Sequence, residues 1–272
     1  MITELNRQEF HKIEHITDTC KNIEVRAVVN GINPGRLLVD HPTEPTTALI
    51  WIQGQQGFQL VGDTQSKVFL ESLEGYMRTH IEPELKKRDI HCVEIGVEGD
   101  AWDNTIQSIF QHRKISSDVQ HVFSLRENEE SADIQDPDHG ITIRRLDVHS
   151  LKSGQLGNLS FLESKISRFW DSMDSFFQYG FGFFAEKNDQ AVSVCFSGFV
   201  ADRIHAIDIE TLEGYRRSNY GTAVANAFVQ ECLQQGIHPY WDCTPDNTGS
   251  IRIARAVGLT PDFDYRIFWY GI

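Results

Sequence analysis

The 272-residue sequence is short of positive charge. Its 25 Lys and Arg stand against 39 Asp and Glu, for a formal net charge of −14. A nucleic-acid binder needs a basic stripe to neutralise phosphates, and an anionic membrane surface makes the same demand, so the charge argues against both partners. Long apolar runs are also missing. No stretch approaches the ~20 residues that span a bilayer. The first ten residues, Met-Ile-Thr-Glu-Leu-Asn-Arg-Gln-Glu-Phe, carry no apolar signal region. The five cysteines, at 20, 92, 195, 232 and 243, are odd in number and include no Cys-x-x-Cys pair. Reduced thiols and a cytoplasmic location fit that usage. Metal-ligand spacing is nearly absent. Among eleven histidines, only His11 and His15 stand four apart with a Glu (Glu14) between them. They lack the helical context of a metalloprotease, so we expect a solvated helix face and no metal.

What the sequence does have is apolar residues for a core, 40% of the chain with 11% aromatic. That is enough for one large domain or two small ones. An acidic surface mainly serves solubility, and it also suits a cationic amine substrate.

Residues 126–138, Arg-Glu-Asn-Glu-Glu-Ser-Ala-Asp-Ile-Gln-Asp-Pro-Asp, are acid-rich and nearly devoid of large apolar side chains, as a linker is. The expected division is therefore 1–126, a linker at 127–138, and 139–272. In the C-terminal part, periodicity predicts a strand from 141, a helix over 158–178 and strands at 181–186, 191–200 and 203–211. A helix follows at 221–235 that stops at Gly236. Then come a strand at 238–243, a helix at 248–257 and a strand at 265–270. The N-terminal part repeats the later portion of that order. Strands at 36–40, 47–53 and 57–61 precede a helix at 66–88, a strand at 91–97, a helix at 103–112 and a strand at 119–125. Asp103-Asn104-Thr105 shares its letters with Asp246-Asn247-Thr248, and 119–125 takes the place of 265–270. This reads as a degenerate half-copy of one fold.

The most informative stretch is 209–259. A strand ends in Ile209-Glu210-Thr211, and a cationic turn, Arg216-Arg217-Ser218-Asn219-Tyr220-Gly221-Thr222, opens a helix. Such a turn aims backbone N–H groups and two guanidiniums at one point on a helix N-terminus, a site for a polyphosphate. Asn219 is the non-glycine residue type most tolerant of left-handed backbone. Further on, Asn247, Ser250, Ala254 and Gly258 form an Asn-x-x-Ser-x-x-x-Ala-x-x-x-Gly run. Period-two alternation puts Asp208 and Glu210 on one face of their strand, and His205, Ile207, Ile209 and Thr211 on the other.

These motifs resemble the acyl-CoA-binding core of the GNAT superfamily of N-acetyltransferases, whose pyrophosphate loop reads Arg/Gln-x-x-Gly-x-Gly/Ala. Among that superfamily, Glu210-Thr211, Tyr215-Arg216-Arg217 and Trp241-Asp242-Cys243 are similar to the zwittermicin A resistance type. The resemblance implies an α/β (α+β) fold, a mixed central sheet flanked by helices, with a degenerate GNAT-like N-terminal half. It implies acetyl-CoA as cosubstrate and a small-molecule amine as acceptor, by direct transfer in a ternary complex. The pyrophosphate falls to residues 216–222. The pantetheine arm falls to the strand at Ile209 and Thr211 and to Asn247 and Ser250, although Asn247 also reads as a helix cap. Glu210, then Asp208, is the expected general base. The superfamily's usual acid, a Tyr, is replaced by Ala254, which leaves Tyr265 and Tyr220 as substitutes. That gap keeps a non-catalytic acyl-CoA-binding module as the alternative. Cys243 reads as a small buried apolar residue. The N-terminal turn at 61–67 lacks the arginines and carries Asp63, so one cofactor site per chain is expected, in the C-terminal half.

Overall fold

The computed structural model describes residues 2–125, 140–148, 151 and 156–272. The expected linker, 127–138, lies outside the described residues. In chain order the elements begin with β1 (Thr3–Leu5), a 3-10 helix (Arg7–Ile13), α1 (Glu14–Thr17) and α2 (Ile23–Val29). Next are β2 (Gly35–Val39), β3 (Thr47–Ile52), β4 (Gly57–Gly62) and α3 (Lys67–Tyr76), which a π-helical turn (Met77–Ile81) joins to α4 (Glu82–Lys87). β5 (Cys92–Val97), α5 (Ala101–Ile109) and β6 (Ser116–Ser124) follow. Then come β7 (Thr142–Arg145), α6 (Leu159–Phe169), α7 (Met173–Tyr179), β8 (Gly182–Lys187), β9 (Gln190–Ala201) and β10 (Ile204–Thr211). The chain finishes with α8 (Tyr220–Gln235), β11 (His238–Cys243), α9 (Thr248–Ala256) and β12 (Thr260–Gly271).

Contacts divide the chain into two compact units, residues 1–120 with 264–272, and residues 121–263. Each has a mixed sheet of the same design. In the first, β1, β2, β3 and β4 pair antiparallel in that order, β5 lies parallel to β4, and Arg266–Gly271 of β12 pairs antiparallel with β5. In the second, β7, β8, β9 and β10 pair antiparallel, β11 lies parallel to β10, and His121–Ser124 of β6 pairs antiparallel with β11. The half-copy expected from element order thus extends to strand direction. The strands at 119–125 and 265–270 correspond in sequence order, but each closes the sheet that order alone assigns to the other. One shared motif is not equivalent in place. Asp103-Asn104-Thr105 lies inside α5, whose N-cap is Asp100, whereas Asn247 is itself the N-cap of α9.

Two predicted helices are interrupted. The one expected over 158–178 breaks where Trp170 turns extended (φ −126, ψ 142) and its indole N–H donates to the Ser197 carbonyl at 2.9 Å. Ser172 then restarts the helix as a cap by accepting from the Ser175 amide. The helix expected over 66–88 passes through the π turn. Its buried stripe, Leu73, Met77, Ile81 and Leu85, keeps a spacing of four residues. A 3.6-residue helix would let that stripe drift around its surface, and a wider turn holds it on the sheet.

The first unit's core therefore includes residues from the end of the chain, Phe268 and Tyr270, packed with Ile95, Ile106 and Phe110. Phe268 is 3% exposed. Phe268→Ala is expected to cost about 3–5 kcal/mol, read by urea denaturation. A loss below ~1 kcal/mol would mean that this strand does not complete that core.

Candidate active site

The site follows from a ladder that stops. β10 and β11 pair only through Ile204–Ala206 and His238–Tyr240. Beyond that point β10 continues to Thr211 paired with β9, and β11 continues to Cys243 paired with β6. The backbone groups on the β11 side of Ile207–Thr211 have no ladder partner on β11, and unpaired backbone groups need partners from elsewhere. A cleft of about 1120 Å³ opens at this end of the strands. It is lined by Ile209, Glu210 and Thr211 of β10, by Tyr215, Arg216, Arg217 and Asn219–Thr222, and by residues of α9 beginning at Asn247.

The loop has the form the sequence requires. Asn219 is left-handed (φ 60, ψ 9) and sits as the N-cap of α8. Arg217 is left-handed too (φ 65), which residue type alone does not foretell. Two non-glycine residues held in this region mark a loop that its surroundings over-determine, as ligand clamps do. Gly221 meets a different demand. A Cβ there would lie 3.1 Å from Ile253 Cδ1 and 3.2 Å from Thr211 Oγ1, so its bare backbone lets the first turn of α8 come close to β10 and α9. The positive end of α8 thus opens on the cleft. Arg216 donates from Nε to the Thr211 carbonyl at 3.2 Å.

Around Glu210 and Asp208 of β10 lies a set of charges. Glu210 receives Lys165 of α6 at 3.1 Å, and the Arg216 guanidinium stands 3.7 Å from its other oxygen. β9 carries an irregularity opposite Ala206/Ile207. At Gly198 there, a Cβ would lie 3.3 Å from the Phe169 ring and 3.4 Å from Asp208 Cβ. Asp208 is therefore pressed toward α6. Burial pushes its carboxyl up to about 6, against the pull of Arg168 and Lys165 and with help from Glu210 and Asp242. His205, on the other face, is 5% exposed and bonded through Nδ1 to Ser197 Oγ at 2.8 Å. Burial holds it down to about 4.

The remaining expected residues divide. Asn247 caps α9 by accepting from the Ser250 amide at 3.1 Å, and it also lines the cleft. Ser250 lines the cleft while its hydroxyl accepts from the Trp241 indole at 2.8 Å. Ser218 lies in the loop, and Asp208 lies behind Glu210. Neither lines the cleft. Tyr265 does not line it either, being 6% exposed in β12 and part of the first unit. The hydroxyl of Tyr220 accepts from Lys187 at 2.5 Å. Ala254 is fully buried in the core beneath α8, and burial raises the Cys243 thiol. Sequence reasoning missed Tyr215 and Arg252, both in the cleft wall. The signal for Arg252 was its position four residues after Thr248 and four before Ala256, on one helical face. Among the described residues no group of three His, Cys, Asp or Glu side chains is placed to hold a metal, and no helix is long and apolar enough to cross a membrane.

A GNAT acetyltransferase family model matches residues 14–268. The chain is 26% identical over 273 residues to an uncharacterized N-acetyltransferase, YdfB, of Bacillus subtilis (strain 168), covering 100% of this chain and 99% of that one. Its fold is similar to a GCN5-related N-acetyltransferase-like protein from Streptococcus suis 89/1591, with TM-score 0.68, 16% identity, and coverage of 97% and 99% of the two chains. It is also similar to a tandem GNAT protein from the clavulanic acid biosynthesis pathway, with TM-score 0.61, 12% identity, and coverage of 99% and 97%.

Two outcomes follow from this geometry. Asn219→Gly is expected to leave stability within about 0.5 kcal/mol of the parent, and Asn219→Val to cost about 1–2 kcal/mol in thermal or urea melts, because a β-branched residue resists left-handed backbone. Equal stability of the two would contradict the strain assignment. The second outcome is a pH dependence. Asp208 titrates higher folded than unfolded, so its contribution disfavours the fold as pH rises from about 4 past 6. His205 titrates lower folded than unfolded, so its contribution is lost as pH falls from about 6.5 toward 4. The two slopes oppose. Asp208→Asn should raise stability at pH 7.5, by at most about 3 kcal/mol, and steepen the loss on acidification. No gain at pH 7.5 would mean that the carboxylate is well solvated or fully paired.

Proposed function

We propose, from the premise that the chain belongs to the GNAT acetyltransferase family, that it moves an acetyl group from acetyl-CoA to the amine of a small molecule. The observation that carries this reading is the divergence of β10 from β11 after Ala206, opening onto a cleft floored by the cationic loop. The residues present fit coenzyme A. Arg216, Arg217 and the first N–H groups of α8 suit a pyrophosphate, and Gly221 has the bare backbone that a close cradle demands. The edge of β10 at Ile209 and Thr211 that β11 does not pair, with Asn247 in the same cleft lining, suits the amide-bearing pantetheine arm.

Bound acetyl-CoA supplies an acyl group activated as a thioester. Glu210 is the proposed base. It accepts the proton that the amine loses as the N–C bond forms and the C–S bond breaks, and the thiolate leaves. Lys165, 3.1 Å away, positions the carboxylate. Asp208, behind it, supports the same face with negative charge suited to a cationic acceptor. The motif Glu210-Thr211, Tyr215-Arg216-Arg217 and Trp241-Asp242-Cys243 supports a place near the zwittermicin A resistance type, with an antibiotic or metabolite amine as acceptor. Unpaired cysteines and net acidity support a cytoplasmic setting.

The N-terminal half is proposed to hold no cofactor. There β4 and β5 pair through Phe58–Leu60 and Ile95–Val97, up to the last residue of β5, so the two strands do not part. The turn after β4 is tied to Asp40, the residue that follows β2. Asp40 accepts from Ser66 at 3.0 Å and from Thr46 at 2.6 Å, and Asp63 would repel phosphate.

A second reading, an acyl-CoA-binding module without turnover, is favoured by buried Ala254 where the usual acid stands and by a Tyr220 hydroxyl already engaged by Lys187. Release of free CoA thiol from acetyl-CoA against a panel of amines separates the two. The enzyme reading predicts amine-dependent release that Glu210→Gln lowers about 10²–10⁴-fold with cofactor affinity nearly intact. Tight cofactor binding with no release for any amine supports the binding module instead. Arg216→Ala with Arg217→Ala should weaken acetyl-CoA binding about tenfold or more per arginine. Unchanged affinity by calorimetry would remove the loop from the site.

A further inference from the structure

The cleft has more cationic character than the pyrophosphate requires. α9 presents Thr248, Gly249, Arg252, Ile253 and Ala256 to it, a single helical stripe that starts at the Asn247 cap. Arg252 is exposed and is the only charged member of that stripe. Among the described residues neither it nor Arg217 is part of an ion pair. Arg216, by contrast, shares its charge with Glu210 at 3.7 Å. Arg252 stands one helical turn, about 6 Å along the axis, beyond Thr248, so it addresses a different part of an extended ligand than Asn247 does. Its neighbours on the stripe, Ile253 and Ala256, are apolar, a wall suited to a base or sugar rather than to a phosphate chain.

Coenzyme A carries three phosphates: two in the pyrophosphate and a separate one on the 3′ carbon of the ribose. A chain of net charge −14 repels such a ligand overall, so each phosphate needs a local cation. Two arginines enter from the loop that opens α8, and the third enters from the facing wall. Resting on the cofactor reading above, we propose that Arg252 binds the ribose 3′-phosphate and makes the cleft selective for coenzyme A over its 3′-dephospho form. A guanidinium provides two parallel donors to a phosphate, which makes such a contact discriminating as well as attractive.

The test is calorimetric binding of coenzyme A and of 3′-dephospho-coenzyme A to the full chain, its Arg252→Ala and Arg252→Lys variants, and Arg255→Ala, which removes an exposed cation of α9 outside the cleft wall. The parent should bind coenzyme A about tenfold or more tightly than the dephospho form. Arg252→Ala should weaken coenzyme A by about that factor and leave the dephospho form within twofold. Arg252→Lys should restore part of the preference, and Arg255→Ala should change neither affinity. Equal weakening of both ligands by Arg252→Ala would overturn the proposal, as would no weakening of either or the same effect from Arg255→Ala. If the parent binds neither ligand, the cofactor reading itself fails and takes this assignment with it.

Discussion

Hydrogen bonding between β10 and β11 stops at Ala206 and Tyr240 while both strands continue, three residues further on β11 and five on β10. A parallel sheet normally satisfies every backbone group with its neighbour. Here each strand is held on its outer side, by β9 and by β6, and the inner side is left open. The irregularity at Gly198 re-aims β10 at the point where the gap starts, as bulges beside functional sites do. The rest of the site follows from that opening. α8 begins at one rim of the gap, α9 begins at the other, and their N-terminal residues line a common cleft.

Charge is distributed around the gap rather than pooled. The chain is strongly acidic, yet its cleft carries three arginines; Glu210 in the cleft wall meets Arg216 on one side and Lys165 of α6 on the other, and buried Asp208 lies under the influence of Arg168 and Lys165. In the first unit the same arrangement of strands is sealed. β4 and β5 stay paired to the end of β5, and Asp40 ties the neighbouring turn to Ser66. One architecture thus appears twice, with the strands parted in one copy and joined in the other.

Much of this was legible in the sequence. Period-two and period-3.6 patterns located almost every strand and helix from residue 35 onward, because alternation and helical stripes report burial locally. Gly236 ended α8 in the left-handed conformation its residue type suggests, with φ 64, and Asn219 took up the left-handed turn. The elements before residue 30 went unread, being short and weakly periodic. The break at Trp170 depends on an indole bond to Ser197, 27 residues away, and no local pattern carries it. The exchange of closing strands was invisible for a related reason. Alternation shows which face of a strand is buried but says nothing about which strand lies beside it. The same exchange places Tyr265, one of the two substitutes for the missing acid, in the first unit. Arg252 was overlooked because a lone exposed arginine on a helix reads as a solvated face until the opposite wall is known.

The central claim is that the parted strands of the second unit form a coenzyme A site and the sealed strands of the first do not. Isothermal titration of the full chain with acetyl-CoA tests it most directly through the stoichiometry. The account predicts one molecule bound per chain. Two per chain would show that the sealed half also accepts the cofactor, and none would show that the gap between β10 and β11 serves another ligand.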